Sequence, residues 1–209
     1  MFVIKIFVEW SHNIYLSLVT PMQLIDIAAI ILTGGKSSRM GKNKALLPWR
    51  GVRLVDFMVG ILTEAGIKNI YISGEIDGYK CIPDLFPDMG PMGGVYSSIE
   101  FLHQLHTKLL FLPVDMPLIS ADFIRYLIQN SHGHEVCCFE GNPLPCVLNI
   151  TKNVKEQIRQ LHRIFEDGKT LSVKKYMSNL NELSIAIPDK YISNLTNTNT
   201  PKEWQEAGA

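Results

Sequence analysis

Apolar residues run without a break from Ile27 to Leu32 and then give way to a polar, glycine-rich and basic stretch that ends near Lys44. An apolar run with no period-two alternation predicts a strand buried on both faces of a parallel sheet. A second such run, Leu109 to Leu112, predicts another central strand, and Ile70 to Ile72 a shorter one ending at Ser73, Gly74 and Glu75. Between and after these runs the spacing turns helical. LVDFMVGILTEAG stops at Gly66, VYSSIEFLHQL follows a Gly-rich start at Gly90, and SADFIRYLIQN and NVKEQIRQLHRIFEDG repeat apolar positions every three to four residues. TLSVKKYM predicts a shorter helix. EVCCFEGNPLPCVLNI predicts a hairpin around Gly141, Asn142 and Pro143, and LSIAIP a late strand. The chain closes on NTNTPKEW, where Pro201 suits the first turn of a short helix capped by Thr200. Strands alternating with helices predict a three-layer α/β domain with a mostly parallel central sheet.

Ligands of open α/β sheets collect at the carboxyl ends of the strands, so the stretch after Leu32 should face one. It offers Gly34, Gly35, Lys36, Ser37, Ser38, Arg39, Gly41, Lys42 and Lys44. Glycines let backbone N–H groups approach an anion, hydroxyls add donors, and the cations offset polyphosphate charge. The stretch therefore reads as a nucleoside triphosphate cradle. It is not a P-loop, because Lys36 stands five before Gly41 and Asn43 follows Lys42; nor is it GxGxxG, because Gly34 and Gly35 are adjacent. At the tip of the second buried run, Asp115 is pinned between Pro113 and Pro117. A carboxylate there is well placed to hold Mg²⁺, which keeps water and substrate phosphate oxygens in its other positions. Helix capping is better assigned to Ser120.

The string LTGGKSSRMGKNKALL resembles the signature loop of the MobA-like nucleotidyltransferases, roughly L-A-G-G-x-S-x-R-M-G-x-D-K. GPMGGVYSSI at 90 to 99, LPVDMPLI at 112 to 119 and NTNTP at 197 to 201 follow in the family's order. The resemblance spans Met22 to the C-terminus. Two departures stand out: Thr33 replaces the usual Ala, and Asn43 replaces an Asp, which removes a charge beside Lys44. The resemblance implies a Rossmann-like nucleotidyltransferase fold. It further implies transfer of GMP from Mg-GTP to the phosphate of molybdenum-bound molybdopterin, with release of pyrophosphate. By the same resemblance Arg39, Lys44 and Asp115 are catalytic, and Leu32, Thr33, Gly34, Gly35, Lys44, Ser73, Asp84 and Asp115 bind GTP. Asp115 is the metal ligand, Mg²⁺ the cofactor, and Asn197 and Asn199 complete the metal or acceptor site. The molybdenum-insertion enzyme and the molybdoenzymes that receive the finished cofactor are the implied partners.

The residues themselves agree with a reaction of this kind. Guanine offers N1–H and N2–H₂ side by side, a pair that the Asp84 carboxylate can accept and that adenine lacks. A phosphate monoester has a second pKa of ~6 and attacks as a dianion, so no Ser-His-Asp or Cys-His machinery is needed, and none is recognisable. Three rivals share features: a cytidylyltransferase using CTP, which GPMGG in place of a serine-rich segment argues against; a sugar-phosphate nucleotidyltransferase, which usually carries extra C-terminal structure; and a nucleotide-binding regulator without turnover.

Composition narrows the picture further. The 209 residues suit one domain, and 20 basic against 20 acidic side chains argue against a nucleic-acid surface or an electrostatic membrane grip. Cys81, Cys137, Cys138 and Cys146 show no CxxC spacing and read as reduced thiols of a cytosolic core; Cys137 and Cys138 should point to opposite faces of a strand. His103 and His106 are expected on one helix at a metal-like spacing but without a third ligand, and His132 and His134 in a solvated loop. Lys169, Lys174 and Lys175 offer charge for an anionic pterin phosphate or simply form a solvated helix face. Residues 1–21 fit neither a signal peptide nor a strand of the domain, and Met22 opens MQLIDIAAIILTGG as a family member would begin. Residues 1–21 are thus expected to be an over-extended start or a poorly ordered lead-in to a domain at 22–209.

Overall fold

The computed structural model describes residues 26–34 and 43–208. The expectation for residues 1–21 lies outside them. In chain order the strands are β1 (Ile27–Leu32), β2 (Pro48–Trp49), β3 (Val52–Arg53), β4 (Asn69–Ser73), β5 (Cys81–Ile82), β6 (Lys108–Pro113), β7 (Val136–Phe139), β8 (Asn142–Asn149) and β9 (Glu182–Ile185). The helices are α1 (Leu54–Glu64), α2 (Gly90–Leu102), α3 (Ala121–Asn130), α4 (Lys152–Glu166), α5 (Val173–Met177) and α6 (Pro201–Glu206), with 3-10 turns at Lys44–Leu46 and Asp189–Leu195.

The unbroken apolar run of β1 is explained by its neighbours. β1 pairs in parallel with β4 on one side and β6 on the other, and all six of its residues are buried. Ala29 and Ile31 join one core with Leu54, Val55, Met58 and Leu62 of α1, Phe123 and Ile124 of α3 and Trp204 of α6. Ala28, Ile30 and Leu32 join a second core with Met92, Val95 and Ile99 of α2, Ile158 and Leu161 of α4 and Tyr176 of α5. Helices thus cover both faces of the sheet, and each fully buried aliphatic side chain contributes about 1.5–3 kcal/mol. Cys137 and Cys138 fall in different cores, on opposite faces of β7 as expected.

The seven strands lie in the order β5-β4-β1-β6-β8-β7-β9, and β2 and β3 form a separate small ribbon. β7 and β9 are also parallel, whereas β8 runs antiparallel to both β6 and β7. The chain goes from β1 outward to β4 and β5 and then returns to place β6 on the other flank of β1. A crevice at such a reversal is where α/β sheets bind ligands.

One expectation needs correction. The second helix starts at Gly90 and ends at Leu102, so His103 is its C-cap and His106 lies beyond it. The His103 ring shares a hydrogen with the carbonyls of Ile99 and Glu100 at 3.0 Å, and the His106 ring meets Tyr71 edge-on. The pair therefore does not share a helix face. Elsewhere the expected caps are present: Ser120 Oγ accepts from Phe123 N, and Thr200 and Glu203 form a capping box. Among the described residues no helix is long and apolar enough to cross a membrane.

Asp56 on α1 receives two bonds from Arg53, Nε at 2.8 Å and Nη2 at 2.7 Å, and a third from the Tyr79 hydroxyl. These hold its carboxyl at about 2, below the ordinary 3.8, the Arg53 hydrogen bonds being the largest cause. A lowered folded value means stability that is fully present above 3.8 and lost as pH falls through about 2. Asp56→Asn should lower the urea midpoint at neutral pH, and the gap from wild type should shrink as pH falls through that window.

Candidate active site

Two groups of residues lie at the carboxyl ends of β4, β1 and β6. The first is built on β1 and β4. Thr33 donates from Oγ1 and from its backbone N, the latter at 3.4 Å, to the carbonyl of Ser73. Gly74 has φ +114°, and a Cβ there would come within 2.7 Å of Thr33 Oγ1. A Cβ on Gly94, in the first turns of α2, would come within 2.5 Å of Ser73 Oγ. Only glycine lets these segments approach so closely. Ser73 itself is 2% exposed, its side chain turned toward Gly94 as part of the floor of the site. Gly34 is exposed, and a Cβ there would lie 3.9 Å from Asp84 Oδ2, so the start of the glycine-rich stretch and the Asp84 loop stand side by side. Asp84 is exposed, yet the protein around its carboxyl desolvates it and raises its pKa.

The second group lies beyond β6. The ladder continues past the strand ends, Val114 N donating to Leu32 O at 3.1 Å, and this sets half-buried Asp115 next to the tip of β1. Burial raises the Asp115 carboxyl and the nearby Lys44 ammonium pulls it back down. Lys44 is 7% exposed. Burial lowers its pKa, while Asp115 and Glu203 oppose the shift. Its Nζ donates to the backbone carbonyl of Thr198, and Thr198 N donates to the backbone carbonyl of Asp115 at 2.9 Å. One residue thus ties the cation to the segment that carries the carboxylate. A charge-assisted bond of this kind holds a cation in place more firmly than a neutral one.

Asn43 caps the turn that presents Lys44, its Oδ1 accepting from Ala45 N at 3.1 Å. An Asp would make the same bond, so the departure at this position keeps the geometry and drops one charge. The structure brings Leu32, Thr33, Gly34, Ser73 and Asp84 to one rim and Lys44 and Asp115 to the other. Gly35 and Arg39 lie outside the described residues. Thr198 was not singled out in the sequence: NTNTP draws attention to Asn197 and Asn199, both exposed, whereas fully buried Thr198 between them makes the contacts. Lys169, Lys174 and Lys175 are all exposed, and Lys169 pairs with Asp167 at 3.2 Å.

The chain is similar to several known proteins. A family described as MobA-like NTP transferase domain matches residues 29–177. A protein of Xanthomonas euvesicatoria named molybdenum cofactor guanylyltransferase is 34% identical over 175 residues, 84% of this chain and 90% of that one. A probable molybdenum cofactor guanylyltransferase of Carboxydothermus hydrogenoformans is 27% identical over 195 residues, 88% of this chain and 95% of that one. Among solved structures, molybdopterin-guanine dinucleotide biosynthesis protein A from Archaeoglobus fulgidus superposes with a TM-score of 0.67 at 17% identity, covering 87% of this chain and 96% of that one. At that identity the superposition speaks for the fold.

Proposed function

The chain belongs to the family of MobA-like NTP transferase domains, and on that premise we propose that this nucleotidyltransferase moves GMP from GTP to the terminal phosphate of molybdenum-bound molybdopterin, releasing pyrophosphate. The names of its relatives support the substrate pair. The observation that carries the chemistry is the Lys44–Thr198–Asp115 connection at the crevice between β1 and β6.

In this reading the triphosphate lies along the stretch after β1. The exposed Gly34 opens that stretch, and Arg39 and Lys44 offset the triphosphate charge as pyrophosphate departs. Lys44 is held by a carbonyl and desolvated, so its charge acts through a medium less polarisable than water. The acceptor phosphate arrives as a dianion, and the protein's task is to align it with the α-phosphate and to exclude water. The donor set fits Mg²⁺: Asp115 offers one hard carboxylate, and magnesium commonly takes one or two with substrate phosphates in its other positions. Bound by Asp115, the ion would supply charge stabilisation at the phosphate oxygens. At the other rim, Asp84 accepts the N1–H and N2–H₂ pair of guanine. The finished cofactor would pass to molybdoenzymes, and molybdenum-loaded molybdopterin would come from the molybdenum-insertion enzyme.

Calorimetric titration with Mg-GTP and Mg-ATP tests the base assignment. The wild type should bind GTP at least about tenfold more tightly, the order expected when a charged acceptor loses its donors. Asp84→Asn should lose most of that margin, and an unchanged margin in the variant would remove Asp84 from base recognition.

A further inference from the structure

The residue expected to read the base sits on a loop, and the loop needs a restraint. Asp84 and Leu85 are both exposed, Leu85 at 46%, so neither side chain anchors the segment between β5 and α2. The backbone does. Leu85 N donates to Ser97 Oγ at 2.9 Å, and Ser97 Oγ donates in turn to Gly93 O at 2.9 Å. A serine hydroxyl has one hydrogen and two lone pairs, so Ser97 can serve both partners at once. It is fully buried on α2. One residue further along the loop, Phe86 sits edge-on to Tyr96 and His162 at 5.5 Å and to Phe165 at 5.4 Å. A Cβ on Gly93 would come within 3.1 Å of the Phe86 carbonyl, so the loop lies directly on the start of the helix.

The neighbouring serine supplies the contrast. Ser98 is equally buried and also donates to the carbonyl four residues back, Gly94 O at 2.6 Å. Among the described residues, however, no loop N–H donates to it. In a helix interior such back-bonding is mildly unfavourable, which leaves the bond to Leu85 as the gain that Ser97 brings.

We propose that Ser97 is a positioning residue for base selection: through the Leu85 N–H, backed by the Phe86 aromatic contacts, it holds Asp84 where a guanine edge meets it. The inference rests on the reading of Asp84 given above. A loop fixed in advance spares the ordering cost of binding, so its loss appears in affinity and discrimination rather than in the rate of the bound complex.

The test is steady-state GMP and IMP transfer from GTP and ITP, the latter lacking the N2 amine, for wild type, Ser97→Ala, Ser98→Ala and Phe86→Leu. Ser97→Ala should raise KM for GTP about tenfold with kcat within about twofold, and lower the GTP-over-ITP ratio of kcat/KM by a similar factor. Phe86→Leu should move both quantities in the same direction, which decides the matter if Ser97→Ala does not fold. Ser98→Ala should leave the ratio at the wild-type value. A discriminating wild type whose ratio survives in Ser97→Ala, or falls equally in Ser98→Ala, overturns the inference alone. A wild type that uses GTP and ITP equally removes Asp84 from base reading and this inference with it.

Discussion

Lys44→Met is expected to lower kcat for nucleotidyl transfer by on the order of a hundredfold to a thousandfold, the loss typical of removing one group aimed at developing transition-state charge. Methionine keeps the apolar stem and the volume at a position only 7% exposed, so packing of the turn is spared. What goes is the ammonium, and with it the bond to the Thr198 carbonyl. Lys44→Arg does not restore the rate, because a planar guanidinium cannot place a point charge in a pocket shaped for one. The measurement is kcat from pyrophosphate release, read beside a thermal melt. A normal melt with a collapsed kcat supports the assigned role, whereas a kcat within a few-fold of wild type removes Lys44 from catalysis.

Asp115→Asn should have a comparable effect on the rate and a second, more specific signature. Asparagine preserves shape and an oxygen acceptor but not the charge that a hard divalent cation requires. At a hundred times its dissociation constant, Mg-GTP should add ~2.7 kcal/mol to wild-type stability. The variant should lose most of that gain, and its transfer rate should fall at least about a hundredfold. The exchange also removes the more influential of the two negative charges, Asp115 and Glu203, that oppose the desolvation of Lys44, so the two substitutions share an environment and their effects should not add. A variant that keeps the full Mg-GTP stabilisation would place the metal elsewhere.

The elements that carry these residues could be read from the chain to different degrees. β1 and β6 announced themselves because strands buried on both faces leave no position for a polar side chain, so Ile27–Leu32 and Leu109–Leu112 run unbroken. α4 was equally plain, with Val154, Ile158, Leu161 and Phe165 on one buried face. β5 left no such trace. It has two residues, one of them exposed, and its place is set by Ile72 N donating to Lys80 O and Gly74 N to Ile82 O, pairings that no local pattern records. Only the far end of α2 was misjudged: Gly90 opens the helix as expected, but the spacing of VYSSIEFLHQL runs on to Leu105, an exposed residue beyond the last helical turn at Leu102.

At the site the balance is similar. Asp115 was visible as a carboxylate at the tip of an apolar run, and Lys44 as a cation at the end of the glycine-rich stretch. Thr198 was not, because it joins them chiefly through a backbone carbonyl and a backbone N–H, groups that every residue carries, its hydroxyl adding only a 3.4 Å bond to the same Asp115 carbonyl. Asp84 was visible only through the resemblance, since its approach to Gly34 depends on how β4, β5 and α2 fold back on one another.

The account turns on which nucleotide is transferred and to what. Purified protein is incubated with Mg²⁺, molybdenum-bound molybdopterin and each of GTP, CTP, ATP and UTP in turn, and pyrophosphate and the pterin product are followed together. Pyrophosphate release is expected with GTP, matched by a guanine dinucleotide product and lost in Lys44→Met and Asp115→Asn. Release led by CTP, or GTP turnover that leaves the pterin unmodified, would contradict it.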